Sequence, residues 1–314
     1  MFSEIKDYGA VFETLVTKTA DYLIQNNIKA QILGISGGID STVVAAICRE
    51  VSDRTGIPLI GRSLPTKFNK EDEISVANLV GKAFCNDFEE VPIKNPYESF
   101  LSLLDRAECG MTAIANGNIQ ARLRMIYLYN LASIHKGLVM DTDNLTENNL
   151  GYFTIHGDVG DFNPIGGLWK TEVFKLAKWI HNIYYNKARC LEEGHFYQQA
   201  DEIASKLEAL KASLELKPTA GLGITDSDLD EIGAESYDQV DSILQEILAW
   251  KWLSLFSRGD RYDSIWDMRN AFLEEQQMLD TPIGVIMAVT DRHFKSEFKR
   301  EQLPIKITRD EILV

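Results

Sequence analysis

The sequence lacks the features that mark a secreted or membrane protein. Its four cysteines are scattered, with no CxxC pair and no nearby histidine at the spacing of a metal site, so we expect neither disulfides nor a metal site at Cys48, Cys85, Cys109 and Cys190. No apolar run is long enough to span a bilayer, and the N-terminus carries acids where a signal peptide needs a basic and then an apolar segment. These absences predict a cytoplasmic protein with no membrane partner.

Basic residues are scarce relative to acidic ones. Lys and Arg number 32 against 47 Asp and Glu, which gives a formal net charge of −15. Because clustered Lys and Arg bind nucleic-acid backbones, the sequence predicts no nucleic-acid partner. The chain has 314 residues, 45% of them hydrophobic, and is therefore long enough to bury a full core.

The stretch QILGISGGIDS, residues 31–41, has the pattern of a strand, a tight glycine loop and a helix. Two successive glycines let backbone amides approach a ligand, and the helix that begins near Asp40 points its free N–H groups at the same place. The lysine of the GxxxxGK[ST] phosphate loop is missing. The pattern favours a phosphate-binding loop of another class, with a Gly-Gly turn in which Asp40 caps the helix as the alternative.

Strand and helix patterns alternate along the first half of the chain, which predicts an α/β fold with a doubly wound, mostly parallel sheet flanked by helices. In such sheets ligands bind beyond the carboxyl ends of the strands. The loops expected there are 36–41, 63–67 and 141–147.

The second half changes character, since residues 171–216 have a wholly helical pattern and further helices follow to the end. We interpret 1–314 as a single domain with an α/β core over about 28–180, a helical insertion over about 182–214 and a helical C-terminal part over about 226–314. Aromatic residues concentrated in 250–272 favour a core or a subunit contact.

Three further blocks carry charged side chains suited to nucleotide chemistry. GNIQARLRM contains Arg122 and Arg124, which we expect at the opening of a helix, where they suit an anion or are solvated surface charges. TDNLTE follows a strand, and its Glu147 is either a Mg²⁺ ligand or an acid in a helix's first turn. GDVGDFNPIGGLWK places two acids among glycines and ends on Lys170, at the start of a helix.

In this order the blocks resemble those of the ammonia-dependent NAD synthetases, which belong to the N-type ATP pyrophosphatase superfamily with its SGGxDS loop. GYFTIHGD, KPTAGLG and FKREQLP also match family motifs. The resemblance implies an adenine nucleotide alpha hydrolase-like fold and ATP-dependent amidation of nicotinic acid adenine dinucleotide. It further implies ammonia as the nitrogen source, an acyl-adenylate intermediate, release of AMP and pyrophosphate, Mg²⁺ as cofactor and a homodimer.

The resemblance also assigns roles by position. The catalytic residues would be Asp40 and Lys170, and the Mg²⁺ ligands would be Asp40 and Glu147. Residues implied to bind ATP are Ser36, Gly37, Gly38, Asp40, Ser41, Ser63, Arg124, Thr142, Lys170 and Thr219. Residues implied to bind the dinucleotide are Asn118, Arg122, Asp158, Asp161 and Lys299.

The chain departs from the family pattern on the dinucleotide side. Ile155 and His156 stand where many members have lysine and tyrosine, and Phe298 stands where many have histidine. Two other functions stay open: a transfer-RNA-modifying ligase with the same loop, which the acidity disfavours, and a nucleotide sensor without turnover, which Ile155 and Phe298 favour. Glutamine-dependent members carry a fused amidase domain, for which we expect no room in 314 residues. We expect direct use of ammonia, and a separate glutaminase partner stays open.

Overall fold

The computed structural model describes residues 4–105, 112–217, 228–276, 278, 280–300, 305–306 and 309–312. Over these ranges the strands are β1 Gln31–Gly34, β2 Leu59–Ser63, β3 Asp87–Glu90, β4 Leu138–Met140, β5 Phe162–Asn163 and β6 Ile305–Lys306. The first helices are α1 Tyr8–Gln25, α2 Ile39–Thr55, α3 Glu71–Phe84, α4 Lys94–Asp105, α5 Ala113–His135, α6 Leu145–Leu150, α7 Lys170–Glu193 and α8 Tyr197–Glu215. The later ones are α9 Asp228–Ile232, α10 Tyr237–Trp252, a π-helical turn Leu253–Arg258, α11 Ile265–Glu275, α12 Ile283–Lys295, α13 Glu297–Arg300 and α14 Arg309–Ile312.

The six strands form one parallel sheet in the order β3-β2-β1-β4-β5-β6. The chain builds outward from β1 through β2 to β3 and then crosses to β4 on the other side of β1. Strands β1 and β4 pair directly, with Leu33 opposite Met140. The predicted doubly wound sheet is confirmed, and the loops after β1 and β4 leave it side by side at the topological switch point, where such sheets bind ligands.

Alternating strand residues cover both faces of the sheet, as the period of two requires. Leu33 and Met140 pack into the larger core with α1, α2, α3, α7 and α8, whereas Ile32 and Val139 pack on the other face. Leu128 of α5 joins that second face. The central strands are therefore fixed on both sides, which gives the loops at their ends a rigid base.

The helical C-terminal part has a hydrophobic core of its own, in which α10, α11 and α12 contribute most of the residues. Trp169 and Leu150 also belong to this core, so it packs directly against α6 and the segment that leads into α7. Of the aromatic residues expected in a core or a subunit contact, Trp250 and Phe272 are buried, whereas Phe256 is exposed. No helix within the described ranges has the length and apolar character needed to cross a membrane.

Two helix boundaries differ from the predictions. The helical run 171–216 is interrupted at Gly194 and His195, where His195 has a φ of +61°, and it forms α7 and α8. The helix expected from about residue 119 begins at Ala113, because the Thr112 hydroxyl accepts from the Ala115 amide and caps an earlier start. Arg122 and Arg124 therefore lie in the middle of α5, and the prediction that they open it was wrong.

Candidate active site

The glycine loop after β1 has the tight geometry expected of a phosphate-binding loop. Gly37 has a φ of +84°, a conformation that residues with a Cβ rarely adopt. Gly38 precedes α2 without a side-chain cap, so the first amides of the helix are left for a ligand. The Ser36 hydroxyl accepts from the Gly38 amide at 3.2 Å and lies 3.0 Å from the hydroxyl of Ser41. The loop thus combines a helix N-terminus with two serine hydroxyls.

Helix α8 supports this loop from behind. The buried hydroxyl of Ser213 donates to the carbonyl of Gly37 at 2.9 Å. The Thr42 hydroxyl lies 2.9 Å from Ser213 Oγ and 3.0 Å from the Gly38 carbonyl. Ser213, in the segment 182–214 that we interpreted from the sequence as a helical insertion, therefore holds the backbone of the predicted phosphate-binding loop. The proposed start of this segment, residue 182, lies inside the continuous helix α7.

Lys170 joins the loops that follow β1 and β4. Its ammonium donates to Asp40 Oδ2 at 2.5 Å and to Glu147 Oε1 at 2.8 Å, and the residue is only 2% exposed. The other oxygen of the Asp40 carboxylate accepts from the Asn144 side chain at 2.9 Å. Glu147 also accepts from the Asn144 amide in a capping box at the start of α6. Three residues predicted at separate positions in the sequence thus form one charged cluster.

The charge state of this cluster follows from its surroundings. Burial on its own lowers the pKa of the Lys170 ammonium, but the carboxylates of Asp40 and Glu147 more than offset this, and the pKa lies well above its usual 10.5. The ring of Tyr237, 5.5 Å away, adds a cation–π contact. Lys170 is therefore a fixed positive charge at physiological pH.

The same two carboxylates fit the predicted Mg²⁺. Magnesium prefers oxygen donors, is held by one or two carboxylates and keeps several waters or phosphate oxygens. Among the residues that the structure describes, no group of three or more His, Cys, Asp or Glu side chains could hold a metal by itself. Asp40 and Glu147 would supply the protein ligands, and substrate or water oxygens would supply the rest.

Two buried carboxyl groups lie behind the cluster, at the end of β4. Asp141 accepts from the amides of Asp143 and Gly160, and desolvation raises its pKa to about 7. Desolvation, together with the neighbouring charge of Asp141, raises the pKa of Asp143 well above its usual range. Asp143, from the same block as Glu147, and Asp141, which directly precedes that block, are therefore two further acids in the interior of the site.

Three further residues predicted to bind ATP lie near the ends of β2 and β4, the two strands that flank β1. Ser63 is the last residue of β2 and Thr142 follows β4. Arg124 donates to the Leu64 carbonyl at 3.0 Å and to Asn69 Oδ1 at 3.1 Å, which fixes its guanidinium beside the loop after β2. The Arg124 position therefore depends on contacts with the chain itself, unlike that of a free surface arginine.

Three of the residues predicted to bind the dinucleotide, Asn118, Asp158 and Lys299, lie near one another. The Thr154 amide donates to Asp158 Oδ1 at 2.5 Å, and its hydroxyl donates to Asn118 at 2.8 Å. Lys299 donates to the carbonyls of Gly151 and Phe153. Burial lowers the pKa of Lys299, while the charge of Asp158 acts in the opposite direction, as expected for groups that lie near each other.

The other predicted dinucleotide residues are Asp161 and Arg122, and only Arg122 contacts the segment that carries Thr154. Asp161 accepts from the Tyr129 hydroxyl and from the Val139 amide, both at 3.0 Å, so its carboxylate ties β4 to α5. Arg122 is exposed, and its guanidinium lies 3.4 Å from the Ile155 carbonyl. Thr219, which was predicted to bind ATP and not the dinucleotide, lies outside the described residues.

Sequence reasoning missed several residues that shape the site. Asn144 stood inside the TDNLTE block and binds Asp40, so an amide beside an implied metal ligand was a usable signal. Asp241, whose carboxylate accepts from the Thr146 hydroxyl, and Ser213 gave none, since each is an ordinary polar residue in a helical pattern. Only the fold brings these two to the site.

A glycine loop and a lysine–carboxylate cluster at the switch point of a parallel sheet define a nucleotide-binding α/β enzyme. Residues 11–303 match the model of the NAD synthase family, and the chain belongs to that family. Membership makes it a ligase of NAD biosynthesis with an adenine nucleotide alpha hydrolase-like fold, and supports ATP-dependent formation of NAD by amidation.

Three relatives illustrate the range of the family. The NH(3)-dependent NAD(+) synthetase of Methanococcoides burtonii is 34% identical over 71% of this chain and 73% of its own length. The glutamine-dependent NAD(+) synthetase of Aquifex aeolicus is 27% identical over 96% of this chain, which spans only 46% of that relative. The structure of NMN synthetase from Francisella tularensis superposes with a TM-score of 0.68 and 25% identity, covering 94% of this chain and 97% of that one.

Proposed function

We propose that the protein converts nicotinic acid adenine dinucleotide to NAD with ATP and free ammonia, releasing AMP and pyrophosphate. The observation that carries the proposal is the contact of Lys170 with both Asp40 and Glu147 beside the glycine loop. A buried ammonium between two carboxylates supplies both the positive charge and the metal ligands that cleavage of a triphosphate needs.

The proposed chemistry has two steps. An oxygen of the nicotinate carboxylate forms a bond to the α phosphorus of ATP, and the bond from that phosphorus to the pyrophosphate oxygen breaks. Ammonia then attacks the carbonyl carbon of the acyl adenylate, loses a proton and displaces AMP. The first step makes the carboxylate oxygen a good leaving group, and no side-chain nucleophile is needed.

The protein mainly positions groups and balances charge. The ammonium of Lys170 would neutralise the departing pyrophosphate, and the first amides of α2 would bind its oxygens. Mg²⁺ held by Asp40 and Glu147 would supply further positive charge to the phosphates. Asn118, Asp158 and Lys299 would line the side where the nicotinate end of the dinucleotide lies.

The nitrogen source is proposed to be ammonia because the Methanococcoides relative uses it. We expect a rate that rises with pH, since NH₃ and not NH₄⁺ is the nucleophile. The purified chain should make NAD and AMP in equal amounts from ATP, Mg²⁺, ammonium and the dinucleotide. A glutamine-supported rate equal to the ammonia-supported rate would contradict this, whereas glutamine use that appears only after adding cell extract would point to a separate glutaminase.

A second acceptor follows from the Francisella structure. That protein is an NMN synthetase, and its likeness extends over almost the whole of both chains, unlike that of the Methanococcoides relative. The corresponding reaction here would amidate nicotinic acid mononucleotide. The same assay with both acceptors separates the candidates: a higher kcat/KM for the dinucleotide supports our proposal, and a higher value for the mononucleotide replaces it with the second. ATP binding without AMP formation from either would favour a sensor.

We also propose a homodimer, formed through the exposed apolar residues of α5. Ile114, Ile126 and Ile134 are 64%, 59% and 65% exposed, and Leu103 of the adjacent α4 is exposed as well. A helix with apolar side chains around its circumference is normally covered on all sides. Sedimentation should give twice the chain mass, and Ile126→Lys should shift it toward the monomer. A monomeric wild-type chain at micromolar concentration would contradict this proposal.

A further inference from the structure

Asp241 connects the helical C-terminal part to the residues around Lys170. It lies on α10 and is 2% exposed. One carboxylate oxygen accepts from the Thr146 hydroxyl at 2.5 Å, and the other accepts from the Thr171 amide at 3.1 Å. The Thr146 hydroxyl oxygen also accepts from the Lys170 amide at 2.8 Å. One buried acid thus restrains the amides of Lys170 and Thr171, the first two residues of α7.

The same contacts reach the metal-ligand side of the site. Thr146 belongs to α6 and directly precedes Glu147, whose carboxylate receives the Lys170 ammonium. A carboxylate at a helix N-terminus is favoured by the helix dipole and by the free amides there. Asp241 therefore ties together the two short segments whose relative position sets the distance between Lys170 and Glu147.

We propose that Asp241 is a positioning residue for the ATP-cleaving step. It holds α6 and the start of α7 in register, so that the Lys170 ammonium and the Glu147 carboxylate meet ATP in a fixed geometry. The expected effect of Asp241 on turnover rests on the proposed function, whereas its expected effect on affinity requires only that the protein binds ATP. In this proposal the C-terminal helices position α6 relative to the start of α7, through the carboxylate of Asp241 on α10.

If Asp241 had a purely structural role, removing its charge would lower the stability of the fold. Desolvation raises the pKa of Asp241 to about 6, so the folded state binds a proton more tightly than the unfolded chain. The contribution of the ionised group to stability therefore falls as pH rises toward 6 and stays reduced above it. Asp241→Asn relieves this burial penalty at pH 8 but loses one of the two accepted hydrogen bonds, so we expect these effects to offset and the melting temperature to stay close to that of the wild type.

The test compares variants that break the connection with variants that keep it. Asp241→Asn and Thr146→Val should each lower kcat/KM for ATP about 10- to 100-fold, because small misplacements of reacting groups cost this much. The double variant should be no worse than the poorer single one, since both break the same connection. Thr146→Ser, which keeps the hydroxyl, should recover most of the loss. Asp238→Asn, an exposed charge on the same helix, is the control and should match the wild type.

Two readouts keep this inference separate from the proposed function. The KM for the dinucleotide should change less than about twofold in Asp241→Asn, since its proposed site lies elsewhere. Calorimetry with Mg²⁺ and an ATP analogue that cannot be cleaved between the α and β phosphates should show about tenfold weaker binding. A wild-type chain that binds the analogue but makes no amide contradicts the proposed function only. Unchanged affinity and kcat/KM in Asp241→Asn, or losses that multiply in the double variant, would overturn the role of Asp241.

Discussion

Lys170→Met should reduce the rate of pyrophosphate release by about 10²- to 10³-fold, the usual cost of removing one preorganised group that stabilises developing charge. Methionine has nearly the same length and keeps the apolar stem packed at the start of α7, but it removes the ammonium that contacts both Asp40 and Glu147. Because the pKa of Lys170 lies above 10.5, its charge does not change between pH 6 and 9. The loss should therefore be the same at each pH in that range, measured by single-turnover quench.

The control for this variant separates lost chemistry from lost structure. Without the ammonium, two carboxylates that are 15% and 17% exposed lose the cation that balances them, which we expect to destabilise the fold by about 2 to 4 kcal/mol. Asp40→Asn in the same chain should restore much of that stability and none of the activity. Lys178→Met, an exposed lysine on the same helix, should leave both unchanged. Activity in Lys170→Met above a tenth of the wild-type rate would refute the assigned role.

The sequence was sufficient for the centre of the fold because its signals there are local. The apolar runs before residues 36 and 141 are buried strands, and two glycines after the first one require a tight loop. The parallel arrangement then brings the ends of β1 and β4 together, so Asp40 and Glu147 could be placed in one crevice without any coordinates. The start of α7 at Lys170 was also predicted correctly.

What could not be predicted depends on contacts between distant segments. Asp241 and Ser213 act through partners 70 to 176 residues away, and nothing in a helical pattern marks such a residue. The early start of α5 was missed because Gly117 usually weakens a helix, whereas here it is buried inside one. β5 and β6 have two residues each, too few to show an alternating pattern.

Gly37→Ala should weaken ATP binding and destabilise the fold by about 3 kcal/mol, through backbone strain and close contacts together. A Cβ at this position would lie 2.8 Å from the Ala77 amide nitrogen and 2.8 Å from the Glu73 carbonyl oxygen. Both are backbone atoms of α3, which cannot rotate away as a side chain could. The loop cannot retreat either, because Ser213 holds the Gly37 carbonyl from the side of α8.

Gly56→Ala provides the matched control, because it causes the backbone strain of a positive φ without the close contacts. Gly56 has a φ of +74°, close to that of Gly37, but a Cβ there would meet nothing within 4 Å. It should therefore show the conformational cost alone, about 1 kcal/mol, with unchanged ATP affinity. The additional loss of unfolding free energy in Gly37→Ala, measured by urea unfolding, reports the close approach of the loop to α3. Adding Ser213→Ala to this variant should recover part of that loss, because the loop can then move. Equal losses in the two glycine variants would mean that α3 does not constrain the phosphate-binding loop.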